Sequence, residues 1–140
     1  MPDVLRIVNS FKDEWWIIGS AALRLIGVDV SVADVDVLTS RRDATGISAD
    51  IVQKIEGADR FRSIYRCVPD TTIPIEIMGD LEVRFDGQWH SVRPASRISV
   101  AVAGGVLFVP DAHEQLRLLR LFGRDKDLAR AATLVESGIV

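Results

Sequence analysis

The chain has very little cysteine and histidine, and this scarcity limits the kinds of site that it can form. It contains one cysteine, Cys67, and two histidines, His90 and His113. One cysteine excludes an internal disulfide and metal clusters built on several thiolates. The two histidines lie far apart in the sequence and lack the spacing of metal ligands. Thiolate and histidine metal centres are therefore not expected.

Long hydrophobic segments are also missing. No stretch approaches the run of roughly 18 apolar residues that indicates a transmembrane helix. The N-terminal sequence MPDVLRIVNSFKDEWW has no basic region followed by an apolar one, so it does not resemble a signal peptide. We therefore expect no membrane association and a cytoplasmic location, which agrees with the single cysteine.

An excess of basic residues is absent as well. The net charge is −3 and the sequence pI is about 5.3. Binding to duplex nucleic acid without sequence preference usually requires a basic surface, so this composition disfavours it. A small anionic substrate remains compatible with the charge, because a divalent cation bound with it would supply positive charge locally.

The length and composition are those of one ordinary globular domain. The 140 residues are 48% hydrophobic and 26% charged, close to the average for soluble domains. A chain of this length buries roughly 68–70% of its unfolded surface and needs no disulfide to fold. No internal repeat, linker or low-complexity segment interrupts it, so we expect a single domain over residues 1–140.

The hydrophobic pattern predicts alternating helices and strands, then hairpin strands, then two closing helices. Helices are predicted over residues 2–12, 20–27, 46–57, 111–123 and 125–137. Strands are predicted over residues 15–18, 32–38, 60–68, 73–78, 81–85, 89–92 and 97–109, with turns at Gly79-Asp80 and Asp86-Gly87. This order predicts an α+β fold, an α/β sandwich with a mixed β-sheet and helices packed mainly on one face.

Two aspartates, Asp34 and Asp36, interrupt the predicted apolar strand VADVDVL. Two residues of a strand that are separated by a single residue project to the same face, with Cα atoms about 7 Å apart. Two such charges about 4 Å apart repel by about 4 kcal/mol at an effective dielectric constant near 20. A cation between them would relieve this repulsion, so the pair indicates a cation site on a sheet. The alternative is an exposed strand face.

A Gly-Ser turn, Gly19-Ser20, lies between the first predicted strand and the helix that follows it. Glycine lets backbone N–H groups approach a phosphate closely, and the N-terminus of a helix favours anions. Ser20 is expected to cap this helix. The dipeptide could equally be a simple strand-to-helix connection, and both interpretations can hold together.

The order Ile18-Gly19-Ser20, thirteen residues, then Asp34-Val35-Asp36-Val37 resembles the signature of the nucleotidyltransferase superfamily of the polymerase-β type. In that family a third acidic residue follows on a neighbouring strand, and here Glu76 lies between Ile75 and Ile77. The stretch GRDKDL at residues 123–128 resembles a segment of minimal, toxin-like or stand-alone members. The resemblance covers roughly residues 15–130, although only some ten positions carry it.

The resemblance implies a nucleotidyltransferase-like fold and a metal-dependent transfer of a nucleoside monophosphate from a nucleoside triphosphate to an acceptor hydroxyl. The metal would be Mg²⁺ or Mn²⁺, held by Asp34, Asp36 and Glu76, with Glu76 completing the metal site or activating the acceptor. Gly19, Ser20 and Lys126 would bind the nucleotide. The acceptor could be RNA, a protein or a small molecule. A toxin–antitoxin role, with an antitoxin partner, is also implied.

Some alternatives remain open at this stage. Glu82 competes with Glu76 as the third acid, because either could lie at a solvent-facing sheet edge. Many relatives continue the last helix with a second aspartate, whereas this chain has Arg130 there. The domain could therefore keep the fold and bind a nucleotide, RNA or partner protein without turnover. An ordinary structural domain would place the three acids more than about 10 Å apart.

Two surface features have a functional and a structural interpretation. Arg60, Arg62 and Arg66 could line a phosphate or RNA path, or they could be a solvated strand face. Trp89 and the apolar strands at residues 100–109 could form the edge of a homodimer, although the sequence favours a core strand for the latter.

Overall fold

The computed structural model describes residues 1–47, 60–68 and 71–140 of the chain. The helices in this part are α1 (Pro2–Val8), α2 (Gly19–Leu25), α3 (Arg41–Thr45), α4 (Ala112–Phe122) and α5 (Asp125–Glu136). The strands are β1 (Trp16–Ile18), β2 (Val35–Thr39), β3 (Phe61–Val68), β4 (Ile75–Phe85), β5 (Gln88–Ser91), β6 (Ile98–Val102) and β7 (Gly105–Val109). Most of the helix predicted at residues 46–57 lies outside the described residues.

The main sheet has the strand order β1-β2-β4-β3, and β5 pairs with the far end of β4. Strands β2 and β4 run parallel, and the other neighbouring pairs are antiparallel. Strands β6 and β7 form a separate hairpin. The mixed sheet and the α+β class are as predicted. The parallel pairing of β2 with β4 positions the candidate site, because it aligns two segments that are far apart in sequence.

The two faces of the sheet contribute to different hydrophobic clusters. Residues Ile17, Val37 and Ile77 are fully buried on the face covered by α1, α2, α3 and β7. On the opposite face Trp16 and Leu38 pack with residues of α4. This division follows from the two-residue period of a strand. Side chains at even positions of β2 and at Glu76 of β4 therefore project away from the larger core.

Strand β4 runs without interruption through the Gly79-Asp80 pair, where the sequence predicted a turn. A Cβ atom at Gly79 would lie 2.7 Å from the Cβ atom of Ala44 on α3, so glycine is required for this close packing. Asp80 has a φ of 51°, so the alternation of side chains between the two faces changes at this residue. As a result Ile77 lies in the larger hydrophobic cluster, which α1, α2 and α3 cover, whereas Leu81 lies in the cluster on the opposite face. The predicted turn is an irregularity within one strand.

Two predictions for the N-terminal half are wrong in detail. Helix α1 ends at Val8, where the hydroxyl of Ser10 donates to the carbonyl of Ile7 at 2.6 Å. The sequence predicts a polar loop after β2, yet Arg41–Thr45 form the short helix α3. Ser40 caps this helix by accepting a hydrogen bond from the backbone N–H of Asp43 at 3.2 Å.

The two closing helices form at the predicted positions, but α5 is rotated relative to expectation. Asp111 caps α4 by accepting from the backbone N–H of Glu114 at 2.9 Å, and Gly123 ends it with a φ of 66°. The helical spacing of α5 predicts that Leu128, Ala131, Ala132 and Val135 face inward. Ala131 is buried, yet Leu128 and Val135 are 48% and 47% exposed. The buried residues of α5 are Asp127, Ala131 and Leu134.

The hairpin predicted at Asp86-Gly87 joins β4 to β5, with both residues at positive φ, as such tight turns require. No helix in the described ranges combines the length and the hydrophobicity needed to cross a lipid bilayer.

Candidate active site

The three acids that the sequence singled out come together at one point. Asp34, Asp36 and Glu76 each offer a carboxylate oxygen, and these oxygens lie within 4.8 Å of one another. This separation is far below the 10 Å that would indicate an ordinary structural domain. Asp34 lies just before β2, which begins at Val35 and not at Val32 as predicted.

Parallel pairing of β2 and β4 brings the acids together. Asp36 and Glu76 are direct register partners, and their neighbours Val35 and Ile75 form the adjacent pair. Both of these apolar residues are buried in the larger core, 1% exposed each. Since side chains alternate along a strand, burying the apolar residues forces both carboxylates to the opposite face. The register of the core therefore fixes the geometry of the acidic site.

The pKa of Asp36 is raised well above its usual value of 3.8. Burial of the carboxyl group is the main cause, followed by the hydrogen bond with Glu76 and by the negative charges of Asp34 and Glu76. The positive charge of Lys126 acts in the opposite direction. A buried carboxylate beside two others is costly to ionise. A divalent cation would remove this cost, so the site is electrostatically suited to one.

Glu82, the competing candidate for the third acid, has another partner. Its carboxylate accepts a hydrogen bond from Nε of Arg62 at 2.8 Å. This contact is the main cause of the lowered pKa of Glu82. Glu76 is the acid that joins Asp34 and Asp36.

Tyr65 of β3 belongs to the same site, and sequence reasoning did not identify it. Its hydroxyl donates a hydrogen bond to Oε1 of Glu76, and its ring is buried, 5% exposed. Tyr65 also lines the cleft in front of the three acids. No local signal in the sequence pointed to its contact with Glu76, because that contact depends on strand pairing.

Gly19 lies directly beside the acidic site. It is the first residue of α2 and has a φ of 72°, which is unfavourable for residues with a side chain. A Cβ atom at this position would lie 3.1 Å from Oδ2 of Asp36. Gly19 therefore combines a backbone requirement with a close approach to the site.

Ser20 does not cap α2 as predicted. The helix begins one residue earlier, so Ser20 lies inside the first turn, and no side chain caps α2. Ser20 is only 3% exposed. Its side chain is not among those that line the cleft. Any contact that Ser20 makes with a ligand would have to come from its backbone N–H group.

Two basic residues of α5 line the cleft. Lys126 and Arg130 lie one helical turn apart, on the same side of α5. Lys126 is exposed and close enough to Asp36 to lower its pKa. In sequence Arg130 appeared only as a departure from the family pattern. In the structure it adds a second positive charge to the cleft.

Asp127 has a structural role at the start of α5. It is 1% exposed, and its two carboxylate oxygens accept hydrogen bonds from Nε and Nη2 of Arg124 at 2.6 and 3.1 Å. The backbone N–H of Arg124 also donates to Asp127, at 3.3 Å. Because Asp127 is buried and paired, its side chain is not available to a ligand.

The three arginines on β3 and just before it do not form a common path. Nη1 of Arg60 donates to the carbonyl of Phe122 at 2.6 Å, at the end of α4. Arg66 is 6% exposed and donates to the carbonyl of Tyr65 at 3.1 Å. Only Arg62 lines the cleft, and it also stacks over the ring of Trp89, 4.4 Å from the centroid. The prediction that these three arginines together line a phosphate or RNA path is therefore wrong.

The remaining wall of the cleft is apolar. Phe61 and Phe122 meet edge to face with ring centroids 5.3 Å apart, and the guanidinium of Arg124 lies 4.9 Å from the centroid of Phe61. The other apolar side chains that line the cleft are Ile18, Met78, Leu81 and Leu119. The cleft thus offers three carboxylates, several cations and an apolar surface within one space.

The donor set of the site suits a hard divalent cation. Three carboxylates on two neighbouring elements supply only oxygen ligands, which Mg²⁺ and Mn²⁺ prefer. The raised pKa of Asp36 shows that the three groups do not easily ionise together without a counter-charge. The residues present therefore fit a site for such a cation.

Comparison with known proteins identifies the class of fold. No protein-family model matches the chain, and no curated protein matches it in sequence. Among solved structures, a crystal structure from Thermotoga maritima, titled as that of a "putative nucleotidyltransferase", is similar with a TM-score of 0.72. The match has 23% sequence identity and covers 96% of this chain and 88% of that one. The chain therefore has a nucleotidyltransferase-like α+β fold.

Proposed function

We propose that the protein is a metal-dependent nucleotidyltransferase of the polymerase-β type, which moves a nucleoside monophosphate from a nucleoside triphosphate to an acceptor hydroxyl. The observation that carries the proposal is the convergence of Asp34, Asp36 and Glu76 within 4.8 Å. The fold of the Thermotoga maritima protein supports it independently. The pattern Ile18-Gly19-Ser20 followed by the two aspartates supports it from the sequence.

Asp34, Asp36 and Glu76 would hold Mg²⁺ or Mn²⁺, which would neutralise phosphate charge and lower the pKa of the attacking hydroxyl. The acceptor oxygen forms a bond to the α-phosphorus, the bond to the β-phosphate oxygen breaks, and pyrophosphate leaves. The proton of the acceptor hydroxyl passes to solvent. The protein's own task is to orient the two reactants and to surround the charge that develops.

Residues on two sides of the cleft would contact the phosphate groups of the nucleotide. Lys126 would bind the phosphate groups, since it is exposed and faces the acids. The backbone N–H groups of Gly19 and Ser20 lie in the first turn of α2, where N–H groups lack partners within the helix. The missing Cβ atom at Gly19 leaves room for a phosphate beside Asp36.

The proposal is tested by incubating the purified protein with each α-³²P-labelled nucleoside triphosphate and Mg²⁺ or Mn²⁺. The acceptor pools are total RNA, a protein lysate and a small-molecule extract. We expect release of pyrophosphate and label in one pool, and loss of both with Asp36→Asn. Glu82→Gln is the matched control, because it removes a nearby acid that has Arg62 as its partner.

The outcome also decides between transfer and simple binding. Label in a protein that copurifies would identify an antitoxin-type partner, which the sequence resemblance implies. If no pool is labelled and no pyrophosphate appears, while triphosphate binds in a metal-dependent way, the protein is an inactive binding domain of the same fold. That result would overturn the proposed activity.

A further inference from the structure

We infer that Tyr65 is a positioning residue that holds Glu76 in place as a metal ligand. This inference rests on the proposed function and makes it more specific, because it names the side chain that orients the third acid. It concerns a residue that the sequence motif does not include.

The first argument is the hydrogen bond itself. The Tyr65 hydroxyl donates to Oε1 of Glu76, so this oxygen already accepts a proton donor. The carboxylate oxygens of Asp34 and Asp36 lie within 4.8 Å of a Glu76 carboxylate oxygen. A hydrogen bond from a fixed donor therefore sets the orientation of the Glu76 carboxylate beside these two acids.

The second argument is that Tyr65 itself cannot move easily. It lies on β3, which pairs antiparallel with β4, and its register partner is Met78, two residues after Glu76. Its ring is buried, 5% exposed. A buried ring on a strand that pairs with β4 from Phe61 to Val68 holds its hydroxyl at a constant place. Residues that orient metal ligands by hydrogen bonds commonly act in this way, and their loss costs about 10–100-fold in metal affinity.

The inference predicts a defined effect on metal affinity, measured without nucleotide or turnover. Mn²⁺ binding is followed by electron paramagnetic resonance of the free ion. Tyr65→Phe keeps the ring and removes only the hydroxyl, and we expect about tenfold weaker Mn²⁺ binding. Ser63→Ala is the matched control, since Ser63 lies on the same strand and lines the same cleft. We expect its Mn²⁺ affinity to stay within about twofold of wild type.

A double-mutant cycle separates positioning from a general effect on packing. Glu76→Asp keeps the negative charge but shortens the side chain away from the tyrosine. In that background Tyr65→Phe should change Mn²⁺ affinity by less than about twofold, because the contact is already lost. Melting temperatures of all variants, measured without metal, check that each is folded.

Each outcome has one meaning. Equal Mn²⁺ affinity of Tyr65→Phe and wild type overturns the inference and leaves the proposed function intact. An equal loss in the Ser63→Ala variant, or in both backgrounds of the cycle, shows a packing effect and also overturns it. If the wild-type protein binds no Mn²⁺, the metal site of the proposed function fails, and the inference fails with it.

Discussion

Asp36 and Glu76 are forty positions apart in the sequence, yet they are direct partners across the parallel strands β2 and β4. Burial is the main cause of the raised pKa of Asp36, and the neighbouring carboxyl groups of Glu76 and Asp34 raise it further. The relationship is enforced by the flanking apolar residues, which are buried on the other face of the sheet. The acidic site is thus a direct consequence of how the core aligns two strands.

Asp36→Asn is expected to stabilise the metal-free protein at neutral pH. The folded-state pKa of Asp36 is raised, so the native state binds its proton more tightly than the unfolded chain. Stability from this group is complete below about pH 4, near its unfolded pKa, and is lost as the pH rises through the folded value. Asparagine does not ionise, so the Asp36→Asn variant does not lose this stability as the pH rises. A gain of about 1 kcal/mol would raise the melting temperature by about 4 °C.

Thermal unfolding in a chelating buffer between pH 4 and pH 8 checks this prediction. The difference between Asp36→Asn and wild type should grow with pH and should nearly vanish at the acid end. Added Mn²⁺ should stabilise the wild type but not the variant, because ligands that bind only the native state add stability by mass action. A variant that is less stable than wild type at every pH would contradict the prediction.

Gly19 and Gly87 form a matched pair for testing the approach to the acidic site. Both have positive φ, 72° and 74°, so alanine should cost about 1–2 kcal/mol of stability at each. They differ in surroundings. A Cβ atom at Gly19 meets Oδ2 of Asp36 at 3.1 Å, whereas one at Gly87 meets nothing within 4 Å.

The two alanine variants should therefore differ in their binding of Mn²⁺ and triphosphate. We expect Gly19→Ala to weaken Mn²⁺ and triphosphate binding, because the new methyl group displaces the Asp36 carboxylate. Gly87→Ala should bind both ligands as the wild type does. Chemical denaturation and isothermal titration measure the two effects. Equal ligand binding by the two variants would show that the space beside Gly19 has no role.

Several features of this site were predictable from sequence, because they depend on local rules. The Asp34-Asp36 spacing places both acids together, and the apolar neighbours of Glu76 predict a strand with an isolated acid. The caps at Asp111 and Gly123 follow from local backbone chemistry in the same way.

The remaining features depend on pairings between distant segments, which no local pattern encodes. The choice of Glu76 over Glu82 follows from the β2–β4 register and from the position of Arg62. The contact of Tyr65 with Glu76 follows from the β3–β4 pairing. The Gly79-Asp80 pair has the composition of a turn, but packing of α3 against Gly79 keeps the strand continuous.

The rotation of α5 was missed for a different reason. Its hydrophobic pattern is satisfied by two overlapping faces, one with Leu128, Ala131 and Val135 and the other with Ala131 and Leu134. The structure buries the second face. Pairing of Asp127 with Arg124 agrees with this choice, because it places a buried carboxylate at the start of the helix. That orientation brings Lys126 and Arg130 to the cleft.

The Arg124–Asp127 pair is expected to contribute much more to stability than the Arg62–Glu82 pair. Asp127 is buried, and its loss removes both a charge pair and the hydrogen bonds at the start of α5. We expect Asp127→Ala to cost about 2–3 kcal/mol, less than for a fully buried pair, since the Arg124 side chain is 36% exposed. Glu82→Gln breaks a pair that is open to solvent, so its cost should be much smaller.

Urea denaturation of both variants at the same pH and salt concentration compares the two pairs. The cost of Asp127→Ala should change little between low and high salt, because a buried pair is weakly screened. Equal small losses for the two variants would show that Asp127 is not needed to hold the start of α5. In that case Asp127→Ala should also leave triphosphate binding by Lys126 unchanged.

Lys126 and Arg130 are expected to bind the phosphate groups of the nucleotide together. They lie one turn apart on α5, and both line the cleft opposite the three acids. A charge-assisted contact with phosphate contributes about 1.5–3 kcal/mol, and exposure to solvent reduces this value. We therefore expect Lys126→Gln and Arg130→Gln each to weaken the binding of a non-hydrolysable triphosphate by about five- to tenfold. Arg130→Lys should retain most of the affinity, because the charge is kept.

Arg120 of α4 provides the control for a general charge effect. It is exposed and does not line the cleft, so Arg120→Gln changes the net charge equally without removing a proposed contact. Isothermal titration with the triphosphate and with pyrophosphate, in Mg²⁺ at low and high salt, makes the comparison. The differences should shrink as salt screens the exposed cations. If Arg120→Gln weakens binding as much as Arg130→Gln, the effect is one of net charge, and Arg130 makes no specific phosphate contact.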